Sequence, residues 1–398
     1  MKSKVQVFRI IILSLSLVFV TALAALHQVF GGGPSGFPAI DTVCPFGGIE
    51  SLYKYMAAHE FILRTNMSNF VLLAGSIVLV IILGRFFCGW ICMVGFLQEI
   101  SARAGMKIFG KRFIIPRGID RYLRFSKYVI LFVVVYLTWK TGELVVRPYD
   151  PFAAWAHIPA GVEVFESFLG GVIILVLSLV LSMLVDRFFC KYLCPLGAFL
   201  GILHRIGLYK ITRDESTCIN CKICDNVCPS NIDISDSERV TSSECVNCLR
   251  CVSYCPTKKD TLKPVIFRKF IHAGKVAIAG LIIYFGIIGA ANVAGLWRMN
   301  EGSAETTLQS GGEKDPSNIR GYMKMEEIAR NFGISVTDLY GKLGISREEY
   351  PYHMTMKEAV KKSRGTSKAL KEDEIRNAVR ELVQSMRSGQ TKDVIPSK

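Results

Sequence analysis

Eight of the thirteen cysteines in this 398-residue chain fall into two runs of one spacing. The first is Cys218-x2-Cys221-x2-Cys224-x3-Cys228-Pro229, and the second is Cys245-x2-Cys248-x2-Cys251-x3-Cys255-Pro256. No other feature limits the fold so tightly, because this is the spacing of thiolates that ligate iron–sulfur clusters. Three cysteines two residues apart wrap a tight loop round one face of a cubane. The fourth, followed by proline, leaves that loop and reaches the neighbouring cluster. The rule assigns Cys218, Cys221, Cys224 and Cys255 to one [4Fe–4S] cluster (cluster 1), and Cys245, Cys248, Cys251 and Cys228 to another (cluster 2). Structural zinc favours two separated cysteine pairs rather than a run of four ending in proline. A disulfide framework suits a small secreted domain, which this chain is not.

The rest of the chain is apolar: 51% of residues are hydrophobic and the mean hydropathy is +0.34. About 20 apolar residues cross a bilayer core. The runs Ile10–Phe30, Phe70–Phe87, Tyr128–Val146, Phe168–Leu184 and Ala273–Trp297 therefore predict five membrane spans. Lys2, Lys4 and Arg9 precede the first, as in a signal peptide, but Gly31-Gly32-Gly33-Pro34 reads as a loop rather than a cleavage site, so a retained anchor is expected.

The placement of charge orients these spans. The net charge is +15, and the segment joining the second and third spans carries Arg85, Arg103, Lys107, Lys111, Arg112, Arg117, Arg121, Arg124 and Lys127. The segment after the first span carries Lys54 and Arg64, and the one after the third carries Arg147. Basic loops stay in the cytoplasm. The expected protein lies in the inner (cytoplasmic) membrane, in contact with lipid. Its N-terminus and cysteine runs are inside, where thiols stay reduced, and its C-terminal tail is outside. The juxtamembrane position accounts for the basic loop without nucleic acid.

The membrane part contains itself twice. Arg85-Phe86-Phe87-Cys88-x3-Cys92 ends the second span, and Arg187-Phe188-Phe189-Cys190-x3-Cys194-Pro195 ends the fourth. Asp41-Thr42-Val43-Cys44-Pro45-Phe46 is echoed by Tyr149-Asp150-Pro151-Phe152. Two hairpins of one orientation are expected, with sites favoured at their interface. On a helix, residues four apart share a face, so Cys88, Cys92, Cys190 and Cys194 are expected to converge at the inner membrane edge. Four thiols there suit a further Fe–S cluster, a dithiol–disulfide couple, or plain buried packing.

These motifs together resemble the membrane-bound polyferredoxins of the nitrate-reductase quinol dehydrogenase type. Nitrous-oxide-reductase regulators and cytochrome-oxidase assembly ferredoxins are relatives of that group. The resemblance covers roughly Ile10 to Lys263. It implies electron transfer between the quinone pool and a redox partner protein, with the clusters as the wire. One residue departs from the pattern: Met93 follows Cys92 where the family has proline, which puts in doubt whether both halves bind alike.

The expected fold is a mainly α integral membrane protein of about five transmembrane helices in two parallel hairpin repeats. It carries an inserted α+β two-cluster ferredoxin domain and a small helical C-terminal domain. The expected divisions are residues 1–126 and 127–211 for the hairpins, 212–263 for the ferredoxin domain, 264–298 for the fifth helix, 299–320 for a linker and 321–398 for the tail. In the tail, Gly333 and Gly344 read as helix stops, and Ser346-x2-Glu349 and Thr355-x2-Glu358 as capping boxes. Its Ile328-Ala329-x3-Gly333-Ile334-Ser335 pattern resembles a helix-turn-helix, but it is not basic enough to favour DNA. No general acid–base pair stands out. Glu50, Glu60 and Glu99 are candidate proton acceptors by location alone and read as solvated carboxylates, the six histidines read as satisfied structural groups, and Cys44 reads equally as a contact for a partner, a quinone headgroup or a covalent cofactor and as a loop thiol with no role. The favoured function is an electron-transfer subunit. The competing functions are a redox-sensing regulator and an assembly factor for an oxidase.

Overall fold

The computed structural model describes residues 4–30, 37–38, 40–49, 52, 67–141, 146–161, 165, 168–257, 261–267, 269–297, 309–310, 313–314, 316, 319–363 and 370–390. Glu50 and Glu60 lie outside the described residues. The chain forms two compact units, one of Met1–Ala25 with Ile40–Arg298, the other of Leu26–Ala39 with Met299–Lys398.

The first unit is mostly helical, and one order of elements occurs twice in it. A long helix α1 (Lys4–Phe30) is followed by a 3-10 turn at Ile40–Val43 and a helical stretch over residues 45–49. Then come α2 (Met67–Leu83), the short α3 (Phe86–Trp90) and α4 (Met93–Phe109). The second pass is α5 (Arg117–Thr141), a 3-10 turn at Arg147–Tyr149, α6 (Pro151–His157), α7 (Leu169–Leu184), the short α8 (Phe188–Tyr192) and α9 (Pro195–Ile206). Proline stands at the first position of the helical stretch after each 3-10 turn, where its missing N–H costs nothing. Asp150 caps α6 by accepting from the Phe152 N–H at 2.9 Å.

Among the described residues, three helices are long and apolar enough to cross a membrane: α1, α5 over Gly118–Lys140, and α12 (Ala273–Val293). The helices at the expected second and fourth spans, α2 and α7, have 17 and 16 residues, at the short end of what a bilayer core takes. Each is cut by its backbone. Gly84 enters the left-handed region at φ 67° after α2, and Val185 turns extended after α7. Residues 84–87, expected to finish the second span, belong to the break and to α3. Val18 and Phe19 on α1, Ile173, Val176, Leu177 and Val180 on α7, and Ile282 and Phe285 on α12 are all exposed. So much bare apolar surface suits hydrocarbon rather than water.

Between α9 and α12 lies a four-stranded antiparallel sheet in the order β2-β1-β3-β4, made of β1 (Tyr209–Arg213), β2 (Arg239–Val240), β3 (Leu262–Ile266) and β4 (Lys269–Phe270). Tyr209 pairs with Ile266 and Arg213 with Leu262. The loops joining these strands hold both cysteine runs, with the short helices α10 (Ile223–Asn226) and α11 (Arg250–Tyr254) inside them.

The second unit packs α13 (Met325–Phe332), α14 (Val336–Leu343), α15 (Met356–Ser363) and α16 (Glu372–Gln390) round Ile328, Leu339, Met356, Ile375 and Val379. Gly333 and Gly344 end their helices at φ 68° and 66°. Thr355 and Glu358 form the expected reciprocal box: the Thr355 N–H donates to Glu358 Oε2 at 2.9 Å, and the Glu358 N–H donates to Thr355 Oγ1 at 3.3 Å. The Ser346 box is half made. Glu349 N–H reaches Ser346 Oγ at 3.4 Å, but a turn rather than a helix follows, ending at Pro351. Thr355→Ala is expected to cost about 1 kcal/mol, read as faster amide exchange across Met356–Ser363; unchanged exchange there refutes it.

Candidate functional site

The two cysteine runs share an unusual backbone. Asn220 and Asn247, each just before the second cysteine of its run, sit at φ 52° and 50°. Lys222 and Leu249, each just after that cysteine, sit at φ 54° and 57°. Asparagine tolerates the left-handed region, but lysine and leucine are strained there. Such strain persists only where the surroundings over-determine it. Here it falls at the same two places in both loops, on either side of Cys221 and of Cys248.

Cys228, Cys245, Cys248 and Cys251 line one small cavity, walled by Ile211, Ile234, Val240 and Leu249. This is the quartet expected to hold cluster 2, and it includes the crossing ligand Cys228 from the first run. The other quartet lies nearer solvent: Cys221 is exposed, Cys218 and Cys255 are half-buried, and Cys224 is buried. The Asn220 backbone N–H, and then the Arg213 guanidinium, hold the Cys218 thiol below its ordinary value, which favours the thiolate that metal ligation needs. Among the described residues, no three Cys, His, Asp or Glu side chains stand close enough to hold a single metal ion. A cubane, by contrast, takes its ligands spread round its corners.

At the membrane edge the two cysteine pairs do not lie on single helices, as their spacing suggests. Cys88 lies in α3 and Cys92 caps α4; Cys190 lies in α8 and Cys194 caps α9. The chain turns between the members of each pair, and both turns are built alike. The Ile91 and Cys92 N–H groups both donate to the Phe87 carbonyl at 3.0 Å, and those of Leu193 and Cys194 both donate to the Phe189 carbonyl at 2.9 Å. The cap residue is extended in each, with Cys92 at φ −64°, ψ 115° and Cys194 at φ −70°, ψ 112°. Met93 in place of proline thus leaves the backbone of its turn unchanged. In the second half Gln98 Nε2 donates to the Cys190 thiol and the Gly197 N–H to that of Cys194, each at 3.3 Å. Burial, with Cys190 and Cys88 adding to it, pushes the Cys92 thiol up to about 12. Burial and then the same two neighbours raise Cys194.

Each half braces the other's turn. Arg187 of the second half donates to the Cys88 carbonyl at 3.0 Å and approaches Gly95. Arg85 of the first half approaches Gly197, three residues after Cys194. Both guanidiniums are buried. Arg187 pairs with Glu99 at 2.6 Å, and Glu99 also takes Arg9, Arg250 at 3.1 Å and Arg103 at 3.7 Å. Glu99 is 2% exposed, so it is a buried hub rather than the solvated carboxylate expected. Lys127 donates to both Glu244 oxygens at 2.5 and 2.6 Å, and Arg85 approaches Glu244 at 3.8 Å.

The charges in this shell do not balance. Buried Arg9, Arg85, Lys127 and Arg187, with half-buried Arg250, share the two carboxylates Glu99 and Glu244. Uncompensated buried cations are costly. Thiolates round an iron–sulfur core carry net negative charge and fit this surplus, Arg85 and Arg187 acting on the membrane-edge cysteines and Arg9, Arg187 and Arg250 on Cys248 of the ferredoxin quartet, whereas neutral thiols leave it standing. The residues present therefore fit an anionic cluster.

Comparison with known proteins agrees with this chemistry. The family described as a 4Fe-4S binding domain matches residues 65–116 and 167–213, which hold the two membrane-edge pairs. The family described as a 4Fe-4S dicluster domain matches residues 210–256. An uncharacterized protein, MJ0750 of Methanocaldococcus jannaschii, is 32% identical over 49% of this chain and 76% of its own length. The chain belongs to the 4Fe-4S ferredoxin-type electron-transport family. YccM of Escherichia coli, a protein named for electron transport, is 29% identical over 69% of this chain and 78% of its own. The ferredoxin-type protein NapH of Haemophilus influenzae is 26% identical over 50% of this chain and 66% of its own. No solved structure matches. As a member of this family the chain is a membrane iron–sulfur electron-transport protein.

Sequence reasoning missed the Glu99 hub, the Lys127–Glu244 pair and His204. His204 was expected to be a satisfied structural group, yet it is 1% exposed and neither ring nitrogen has a partner among the described residues. Burial, then Lys210 and Arg85, press its imidazole down to about 3, so it stays neutral. Cys44 is half-buried in the apolar cluster of Phe46, Ile49, Leu73 and Val134.

Proposed function

We propose that the chain is a membrane-bound electron-transfer subunit that carries electrons between a membrane quinone and a redox partner protein. Cys218, Cys221, Cys224 and Cys255 hold one [4Fe–4S] cluster, and Cys245, Cys248, Cys251 and Cys228 hold a second. Cys88, Cys92, Cys190 and Cys194 hold a further Fe–S cluster where the two hairpins meet. Five spans place the N-terminus and residues 212–263 in the cytoplasm and the tail of residues 321–398 outside. The observation that carries this reading is the matched pair of turns, each with two cysteines and each braced by a buried arginine from the other half.

Each cluster, when bound, supplies one-electron chemistry, and the protein's part is to hold it and tune it. The buried arginines favour the more negative, reduced charge state of whatever the four thiols hold. The apolar wall of Ile211, Val240 and Leu249 keeps water from the buried quartet. Exposed Cys221 leaves the other quartet open to a soluble partner. The test is iron and acid-labile sulfide in anaerobically purified chain, together with reduction of a quinone analogue. About twelve irons are expected, four for each cubane. About eight would remove the third cluster, and colourless protein holding zinc would end the proposal.

A further inference from the structure

The turn between the first membrane-edge cysteines lies directly against one ferredoxin loop. A Cβ built on Gly89, between Cys88 and Cys92, would stand 2.1 Å from the Val246 carbonyl oxygen. Val246 and Asn247 lie between Cys245 and Cys248 of the buried quartet. Hydrogen bonds pin this contact. Trp90 Nε1 donates to the Asn247 carbonyl at 2.9 Å, and Asn247 Nδ2 donates to the Leu83 carbonyl at 2.6 Å. From α1, Gln6 Nε2 donates to the Cys248 carbonyl at 2.9 Å, and Arg9 Nε donates to the Gly89 carbonyl at 2.7 Å. The second turn is different. Lys191 stands where the first has Gly89, and Tyr192, in the place of Trp90, donates to Asp120 of α5 instead. One turn of the pair is thus built to seat the ferredoxin loop, and only a residue without a side chain allows the approach.

We infer that cluster 2 is the ferredoxin centre wired to the membrane half, and that Gly89 is the positioning residue that sets the gap. The inference rests on the reading that the two cysteine runs hold two clusters. It orders the relay: cluster 1, beside exposed Cys221, faces the soluble partner, and cluster 2 faces the Cys88–Cys92 turn. The step served is outer-sphere. One electron leaves one centre and enters the next, and no bond is made or broken. Tunnelling through protein falls exponentially with distance, so a small separation has a large effect on rate. Alanine at position 89 forces the two backbones apart by roughly 1 Å to restore ordinary contact distance.

The test uses the full chain in detergent with Gly89→Ala, Trp90→Phe, and Gly286→Ala as a control, since nothing lies within 4 Å of a Cβ at Gly286. Trp90→Phe keeps an aromatic ring against Phe86 and removes the hydrogen bond to Asn247 without adding bulk to the contact, which guards against a Gly89 variant that fails to fold. Cys221→Ser identifies the cluster 1 signal. Solvent exposure and hydrogen bonding set cluster potentials, so EPR-monitored titration should show cluster 2 moving to higher potential in both variants while cluster 1 stays fixed. Electron passage from dithionite to decylubiquinone should slow severalfold with iron content unchanged. An unmoved cluster 2 in fully loaded variants, or a shift in cluster 1 instead, overturns the inference. Iron below about eight per unsubstituted chain sinks the underlying reading itself.

Discussion

Glu99→Ala is expected to destabilise the first unit by at least about 3–5 kcal/mol, the usual cost of stranding one partner of a buried ion pair. The value is a floor because Arg9, Arg187 and Arg250 all lose their carboxylate together. Glu99→Gln keeps the shape and some hydrogen bonding, so it should lose less. Thermal unfolding of the detergent-solubilised chain reads both, and an unchanged midpoint in Glu99→Ala would show that the hub carries no weight. The pH dependence has a definite sign. Burial alone would raise the Glu99 carboxyl, but Arg9, then Arg187 and Arg250, hold it well below its ordinary 4.5. A group depressed in the folded state contributes its full stability above its unfolded value and loses it as pH falls through the folded one. The unfolding midpoint should therefore show no loss from Glu99 down to about pH 4.5, and a progressive loss only below it. Glu99→Gln should remove that acid limb.

Why Glu99 was invisible in the sequence follows from where its partners lie. Arg9, Arg187 and Arg250 are 90, 88 and 151 residues away, and no local pattern announces a contact that long. The cysteine runs were legible for the opposite reason: within each run the cysteines are separated by only two or three residues, so the local spacing is itself a pattern. The Arg-Phe-Phe-Cys repeat was legible as a repeat, and the element order around it follows suit. Its local structure was not. Four-residue spacing read as one helical face, whereas the chain breaks after α3 and after α8. Pro195 hints at that break, but Met93 does not, and the turn forms with either. The short α2 likewise depends on Gly84 at φ 67°, which hydropathy cannot see because glycine does not interrupt an apolar run.

Cys190→Ser is expected to remove about four irons of about twelve and to leave the EPR signals of the two ferredoxin clusters in place. The sharper expectation concerns charge. Once the anionic centre is lost, Arg85 is left with the Ser243 carbonyl at 2.9 Å and a share of Glu244 at 3.8 Å, a carboxylate already held by Lys127. The single variant should then lose stability beyond what one sulfur-to-oxygen change explains, on the order of 3 kcal/mol for an uncompensated buried cation. Arg85→Met takes away the surplus charge and keeps the bulk. Added to Cys190→Ser it should recover part of that loss, whereas alone, in loaded protein, it should destabilise. A favourable coupling of about 1–3 kcal/mol between the two changes, measured by thermal unfolding with iron counted in each variant, is what a shared anionic centre requires. If the two effects simply add, the four thiols are buried packing and the arginine answers to Glu244 alone.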